Sequence, residues 1–147
     1  MHTRINLVQQ FNKHLATTGD KVNHNQLKEV EMNKIADLKE KAKIGWASFI
    51  SFEALTSTAA PKLLQFAGVN KGMKLLDVAC GTGVVALTAS RQGAEVEGVD
   101  LTPELISRAI ENSKIMGLQA KFVEGDAEFL PYKENKFDII VSQYGHM

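Results

Sequence analysis

The chain has 147 residues, 44% hydrophobic and 23% charged, the size and balance of one globular domain, which excludes a wholly disordered or collagen-like chain. Seventeen basic residues balance seventeen acidic ones without a block of five like charges, so neither a nucleic-acid arm nor a polybasic membrane anchor is expected. The single cysteine, Cys80, excludes an intrachain disulfide and a thiolate zinc cluster, and with no apolar run at Met1 to Asn6 and no stretch of ~18 apolar residues it predicts a cytoplasmic protein.

In chain order, Ile5, Val8, Phe11 and Leu15 recur three or four apart and predict a first amphipathic helix. Thr17 to Asp20 is a turn cluster, after which Leu27, Val30, Ile35, Leu38 and Ala42 predict a second helix. Trp46, Phe49, Ile50, Phe52 and Leu55 form a more aromatic segment, read as core packing in preference to a lid. Pro61 suits the first position of a helix carrying Leu63, Leu64 and Phe66, with Gly68 past its end. The periodicity changes near residue 60, which predicts a helical extension over 1–60 and a core domain over 61–147.

After Gly72, short apolar runs alternate with helical periods. Strands are predicted over Met73 to Val78, Glu95 to Val99 with Asp100 at its end, Lys121 to Glu124, and Phe137 to Val141. Helices are predicted over Val84 to Gln92, closed by Gly93, and from an N-cap at Thr102 and a first-turn Pro103 to Met116, stopped by Gly117. Strands spaced by helices imply parallel crossovers, hence an open, doubly wound α/β sheet. Its ligand site belongs outside the carboxyl ends of the strands, where strand order reverses.

The strongest local feature is Leu75-Leu76-Asp77-Val78-Ala79-Cys80-Gly81-Thr82-Gly83, a strand running into a glycine turn that opens a helix. Gly81 and Gly83 allow close approach of a ligand to the backbone, and the helix start offers amides suited to a negatively charged group. Asp100, seventeen residues after Gly83, can accept two hydrogen bonds from vicinal ribose hydroxyls. Gly81 to Ala86 also satisfies the dinucleotide pattern, so a nicotinamide-dependent oxidoreductase domain stands as an alternative. Against it, Asp77 would face a pyrophosphate unfavourably but can pair with the ammonium group of a cationic ligand. Asp126, beyond the third strand, can accept from an adenine amine, with the Ala127 amide beside it. Cys80 has no sequence neighbour that would activate it, and His2, His14 and His24 lack metal-ligand spacing, so no metal is expected.

Together these blocks resemble the class I S-adenosylmethionine-dependent methyltransferases, in particular the small-molecule branch with the ubiquinone and menaquinone enzymes. The resemblance covers roughly residues 45 to 147, with the D-x-x-x-G-x-G pattern at Asp77 to Gly83, the Gly125-Asp126-Ala127 block, Leu130-Pro131 and Phe137-Asp138. It implies a Rossmann-like fold and S-adenosyl-L-methionine as cofactor. Asp77, Ala79, Gly81 and Gly83 would wrap its methionine end, Asp100 would hold the ribose, and Leu101, Asp126 and Ala127 would contact the adenine. Gln143, just past the fourth strand, joins that set. The acceptor would be a small molecule methylated by direct displacement, and if a base assists, Tyr144 and His146 are the nearby titratable groups. The resemblance also implies a seven-stranded sheet, whereas this sequence stops after the fourth strand. The expectation is therefore a chain carrying the cofactor-binding half, with the fourth strand as an exposed edge that another copy can cover, or a non-catalytic binding module. A homodimer through that edge or through the N-terminal helices is the expected assembly.

Overall fold

The structure, a computed structural model, describes residues 24–145. The helix expected over Ile5 to Leu15 and the turn at Thr17 to Asp20 lie outside the described residues, as do His2, His14 and His146. Residues 1–41 and 42–147 form two compact units. The second helical period becomes one long helix, α1 (His24–Ala47), on which Val30, Ile35 and Leu38 are exposed. A 3-10 turn (Ser48–Phe52), α2 (Glu53–Ser57) and α3 (Ala60–Phe66) follow, the last with Pro61 in its first turn and Gly68 at φ 71° just past its end, as the sequence predicts.

Next come β1 (Lys74–Val78), α4 (Val84–Arg91), β2 (Glu95–Asp100), α5 (Pro103–Met116), β3 (Ala120–Glu124) and β4 (Ile139–Val141). All strand pairs are parallel and the order is β3-β2-β1-β4, so the chain reverses direction across the sheet between β1 and β4. That is the expected doubly wound arrangement, and it sets the carboxyl ends of β1, β2 and β4 around one crevice. Leu75, Leu76 and Asp77 are buried in succession, and because neighbouring strand residues point to opposite faces, β1 is covered on both sides. The core joins Leu64 of α3, Val85, Ala86 and Ala89 of α4, Ile106 and Ala109 of α5, and Phe122 and Val141 of the sheet.

The fourth strand is shorter than the apolar run Phe137 to Val141 suggests. The Asp138 amide donates to the Lys74 carbonyl at 2.8 Å while its side chain accepts from the Lys74 amide at 2.8 Å, and the Phe137 ring packs edge-on against Tyr132 at 5.0 Å. Among the described residues β4 pairs with β1 alone, and Ile140 is exposed while Val141 is buried.

Two glycines make room for one aromatic ring. A Cβ on Gly98 of β2 would meet Phe122 Cδ1 at 2.7 Å and Cys80 Sγ at 2.9 Å, and one on Gly83 would meet Phe122 Cζ at 3.0 Å. Phe122 is buried and has no free direction in which to retreat. Gly98→Ala is expected to lower the stability of the chain by about 1–3 kcal/mol through overpacking. Phe122→Leu in the same chain is expected to recover part of the loss, read as urea midpoints of the single and double variants.

Candidate functional site

The turn after β1 is built on left-handed backbone: Ala79 and Gly81 both have φ 55°, and Gly83 has φ 86°. At Ala79 this conformation carries strain of order 1 kcal/mol, because its Cβ crowds the backbone. The two glycines, read together from sequence as an opening for a ligand, divide that work. Gly83 is required by its own dihedral and by packing against Phe122 and Ala109, whereas a Cβ on Gly81 would meet nothing within 4 Å. Gly81 lines the cavity and Gly83 does not.

Gly83 is the N-cap of α4 and has no side chain with which to cap it. Asp77 supplies that function from the preceding strand, its Oδ2 accepting from the Ala86 amide at 3.0 Å. Of the helix-start amides expected to suit a negatively charged ligand group, that of Ala86 is therefore already taken by a carboxylate. Asp77 is 1% exposed, and its Oδ1 is buried with no partner in the protein. Burial pushes its carboxyl up from 3.8 to about 7; the Ala86 amide opposes the rise and the Asp100 charge adds to it.

Asp100 uses both oxygens to tie backbone segments together. Oδ2 accepts from the Gly81 amide at 2.8 Å and Oδ1 from the Thr102 amide at 2.9 Å. Each oxygen keeps a lone pair for a further donor. Thr102 is the N-cap of α5, as predicted, but it makes no side-chain capping bond; its carbonyl accepts from Leu105 and Ile106 instead.

A cavity of about 590 Å³ opens at these strand ends. Asp77, Ala79, Gly81 and Asp100 form one wall, Gln143 and Tyr144 another, and Trp46, Phe49, Glu53 and Thr56 a third. The aromatic segment, read from sequence as core in preference to lid, therefore lines a cavity. Phe49 is 40% exposed and its ring lies 5.0 Å from that of Trp46. Among the described residues the charged groups lining the cavity are Glu53, Asp77 and Asp100, without a lysine, arginine or histidine.

Gln143 Nε2 donates to the Thr56 carbonyl at 2.8 Å, and its Oε1 is buried without a partner. Tyr144 lines the cavity in a left-handed conformation, φ 65°, with half its surface exposed. Leu101, Asp126 and Ala127 lie beyond the ends of β2 and β3 but not in the cavity wall. Asp126 Oδ1 accepts from the Glu128 amide at 3.0 Å in a local turn, and the Gly125 amide bonded to the Asp100 carbonyl at 2.9 Å sets this exit beside that of β2. Cys80 is buried, and burial followed by the charges of Asp77 and Asp100 pushes its thiol well above the ordinary value, so it stays protonated and inert. Sequence reasoning missed Leu105, whose period marks it as core, and Glu53, which reads as a surface acid.

Asp77 links this geometry to stability. Between about pH 4 and pH 7 the folded chain holds a proton that the unfolded chain has released, so stability falls as pH rises through that window and levels off above it. Asp77→Asn retains an acceptor for Ala86 and removes the titration. The difference in unfolding free energy between pH 5 and pH 8, from urea curves, is expected to shrink in that variant.

Residues 75–147 match the family described as Methyltransferase domain. An uncharacterized protein of Mycobacterium tuberculosis is 37% identical over 95 residues, which are 65% of this chain and 35% of that protein. The demethylmenaquinone methyltransferase of Staphylococcus aureus is 36% identical over 87 residues, 57% of this chain and 36% of the relative. Among solved structures, a SAM dependent methyltransferase from Aquifex aeolicus aligns with a TM-score of 0.52 at 25% identity, over 56% of this chain and 46% of that one. The chain thus spans about a third of the length of the curated relatives it matches. Asp77, the glycine turn, Asp100 and nearly all of the parallel β3-β2-β1-β4 sheet fall within the matched stretch, and together these findings support a methyltransferase domain of the class I S-adenosylmethionine-dependent kind over residues 75–147.

Proposed function

We propose that this chain holds S-adenosyl-L-methionine in the crevice between β1 and β4 and serves methyl transfer to a small-molecule acceptor. The observation that carries the reading is the unpartnered Oδ1 of Asp77, a buried acceptor on the wall of a cavity whose charged groups are all carboxylates. An ammonium or sulfonium group relieves that arrangement, because an opposite charge stabilises the ionised carboxylate. The pyrophosphate of a nicotinamide dinucleotide would instead meet Asp77 and Asp100 with no cation among the described lining residues to offset them. The residues present therefore fit the sulfonium cofactor, and Gly81, with open space where a Cβ would stand, leaves the turn clear for it.

When bound, S-adenosyl-L-methionine supplies a methyl on a positively charged sulfur that is its own leaving group. The work left to the chain is holding, orienting and drying. Asp77 takes the amino end, Asp100 the ribose hydroxyls through its remaining lone pairs, and Gln143 Oε1 a further donor. Trp46 and Phe49 exclude water from the reacting centre. Leu101, Asp126 and Ala127 form the adenine end of the reading. The functional division runs at residue 60, with 1–60 as extension and cover and 61–147 as the cofactor-binding core. Tyr144 and His146 are the candidates for assisting deprotonation of an acceptor. A cytoplasmic protein that pairs with a second copy through the β4 edge or the N-terminal helices completes the proposal; no helix of the described residues is long and apolar enough to cross a membrane.

Calorimetric titration of the full chain with S-adenosyl-L-methionine and, separately, with oxidised nicotinamide dinucleotide tests the reading. Saturable binding of the sulfonium alone is expected, tightening from pH 5.5 toward pH 7 as Asp77 ionises. Asp77→Asn should weaken binding roughly tenfold to a hundredfold, the worth of a hydrogen bond to a charged group, and abolish the rise with pH. Binding of the dinucleotide in its place, or wild-type affinity in Asp77→Asn, would overturn it.

A further inference from the structure

Resting on that reading, the geometry points to Glu53 as the positioning residue that fixes the aromatic cover against the cofactor turn. Glu53 opens α2, one turn after Phe49, and lines the cavity. Its Oε1 accepts from Arg108 Nε at 3.2 Å and from Asn112 Nδ2 at 3.2 Å. Arg108 and Asn112 stand four apart on α5, hence on one face of that helix. The same Asn112 Nδ2 donates to the Thr82 carbonyl at 3.1 Å, in the peptide that joins Thr82 to Gly83. One carboxylate thus connects the cover to α5 and, through one amide group, to the glycine turn.

The Arg108 guanidinium is held in place by a second acid, Glu111, at 2.8 Å, so it meets Glu53 already oriented. Other contacts also hold the cover. Lys43 and Glu124 approach at 3.5 Å with half of the glutamate exposed, a pair worth little in water. Gln143 donates to the Thr56 carbonyl, which joins the cover to the segment after β4. The Glu53 tie runs through Asn112 to the Thr82 carbonyl, in the turn on which the cofactor would rest. Any ligand that orders the Thr82 to Gly83 peptide therefore favours the docked cover, and docking of the cover favours the ligand by the same factor.

Trp46 is the sole tryptophan of the chain and sits in this cover, so its fluorescence reports the cover directly. The test uses the full chain as wild type, Glu53→Ala, Glu53→Gln, Asn112→Ala and the Glu53→Ala/Asn112→Ala double variant. It measures acrylamide quenching of Trp46 and calorimetric affinity for S-adenosyl-L-methionine. Glu53→Ala is expected to raise quenching in the ligand-free chain and to weaken the cofactor roughly tenfold, the scale of one or two lost hydrogen bonds. Glu53→Gln retains an acceptor for Asn112 and should fall between wild type and Glu53→Ala, which separates positioning from failure to fold. The double variant should bind no more weakly than Glu53→Ala, because the two residues act in one chain of contacts. Wild-type affinity and quenching in Glu53→Ala, or additive losses in the double variant, would overturn the proposal while leaving the function standing. A wild-type chain that takes up no cofactor removes the proposed function and the coupling with it, whatever the quenching shows.

Discussion

A buried carboxylate on the first strand is the constraint around which the site is arranged. Asp77 sits where β1 ends and α4 begins, and its Oδ2 caps a helix whose N-cap residue has no side chain. A neutral capping residue at Gly83 would satisfy the helix, but it would need a Cβ at φ 86° against the Phe122 ring. The capping duty therefore passes to a residue six positions earlier, at the cost of burying a charge. That burial is what pushes the carboxyl toward neutrality and leaves Oδ1 without a donor in the wall of the cavity. A position built this way is poorly satisfied by the chain alone, and under the proposed function the cationic cofactor supplies the missing partner.

The other acids act through the same turn. Asp100 bridges Gly81 and Thr102, so the exits of β1 and β2 are held in one piece, and the Gly125 amide on the Asp100 carbonyl adds the exit of β3. Glu53 brings a segment from well before the sheet against α5 and Thr82. Acidic side chains thus serve first as structural acceptors for backbone amides and side-chain donors. Under the proposed function the carboxylates of Asp77 and Asp100 also face the cofactor. Structural and functional duties coincide because each acid is aimed at a donor in or beside one turn.

Much of this was legible in the residues. The alternation of apolar runs with helical periods located β1, α4, β2, α5 and β3 to within a residue or two, because Gly93, Thr102-Pro103 and Gly117 punctuate the chain where the backbone must turn. The fourth strand was read too long, since nothing in Phe137-Asp138 says that the aspartate side chain will take the Lys74 amide. The acids at the strand ends stood out by position, and the D-x-x-x-G-x-G spacing marked the turn.

What the sequence by itself determined is the parallel α/β frame, the glycine turn and the acids around it, because periodicity, capping and turn chemistry are local and each element carries its own signal. Tertiary structure alone decided what those residues face. It split the two glycines into one that packs and one that opens, used the helix-start amide for Asp77, and carried Trp46, Phe49 and Glu53 across the chain to wall the cavity. Contacts such as Glu53 with Asn112 join residues 59 positions apart, and no local pattern encodes them; they exist only once the sheet has brought α5 beside the glycine turn.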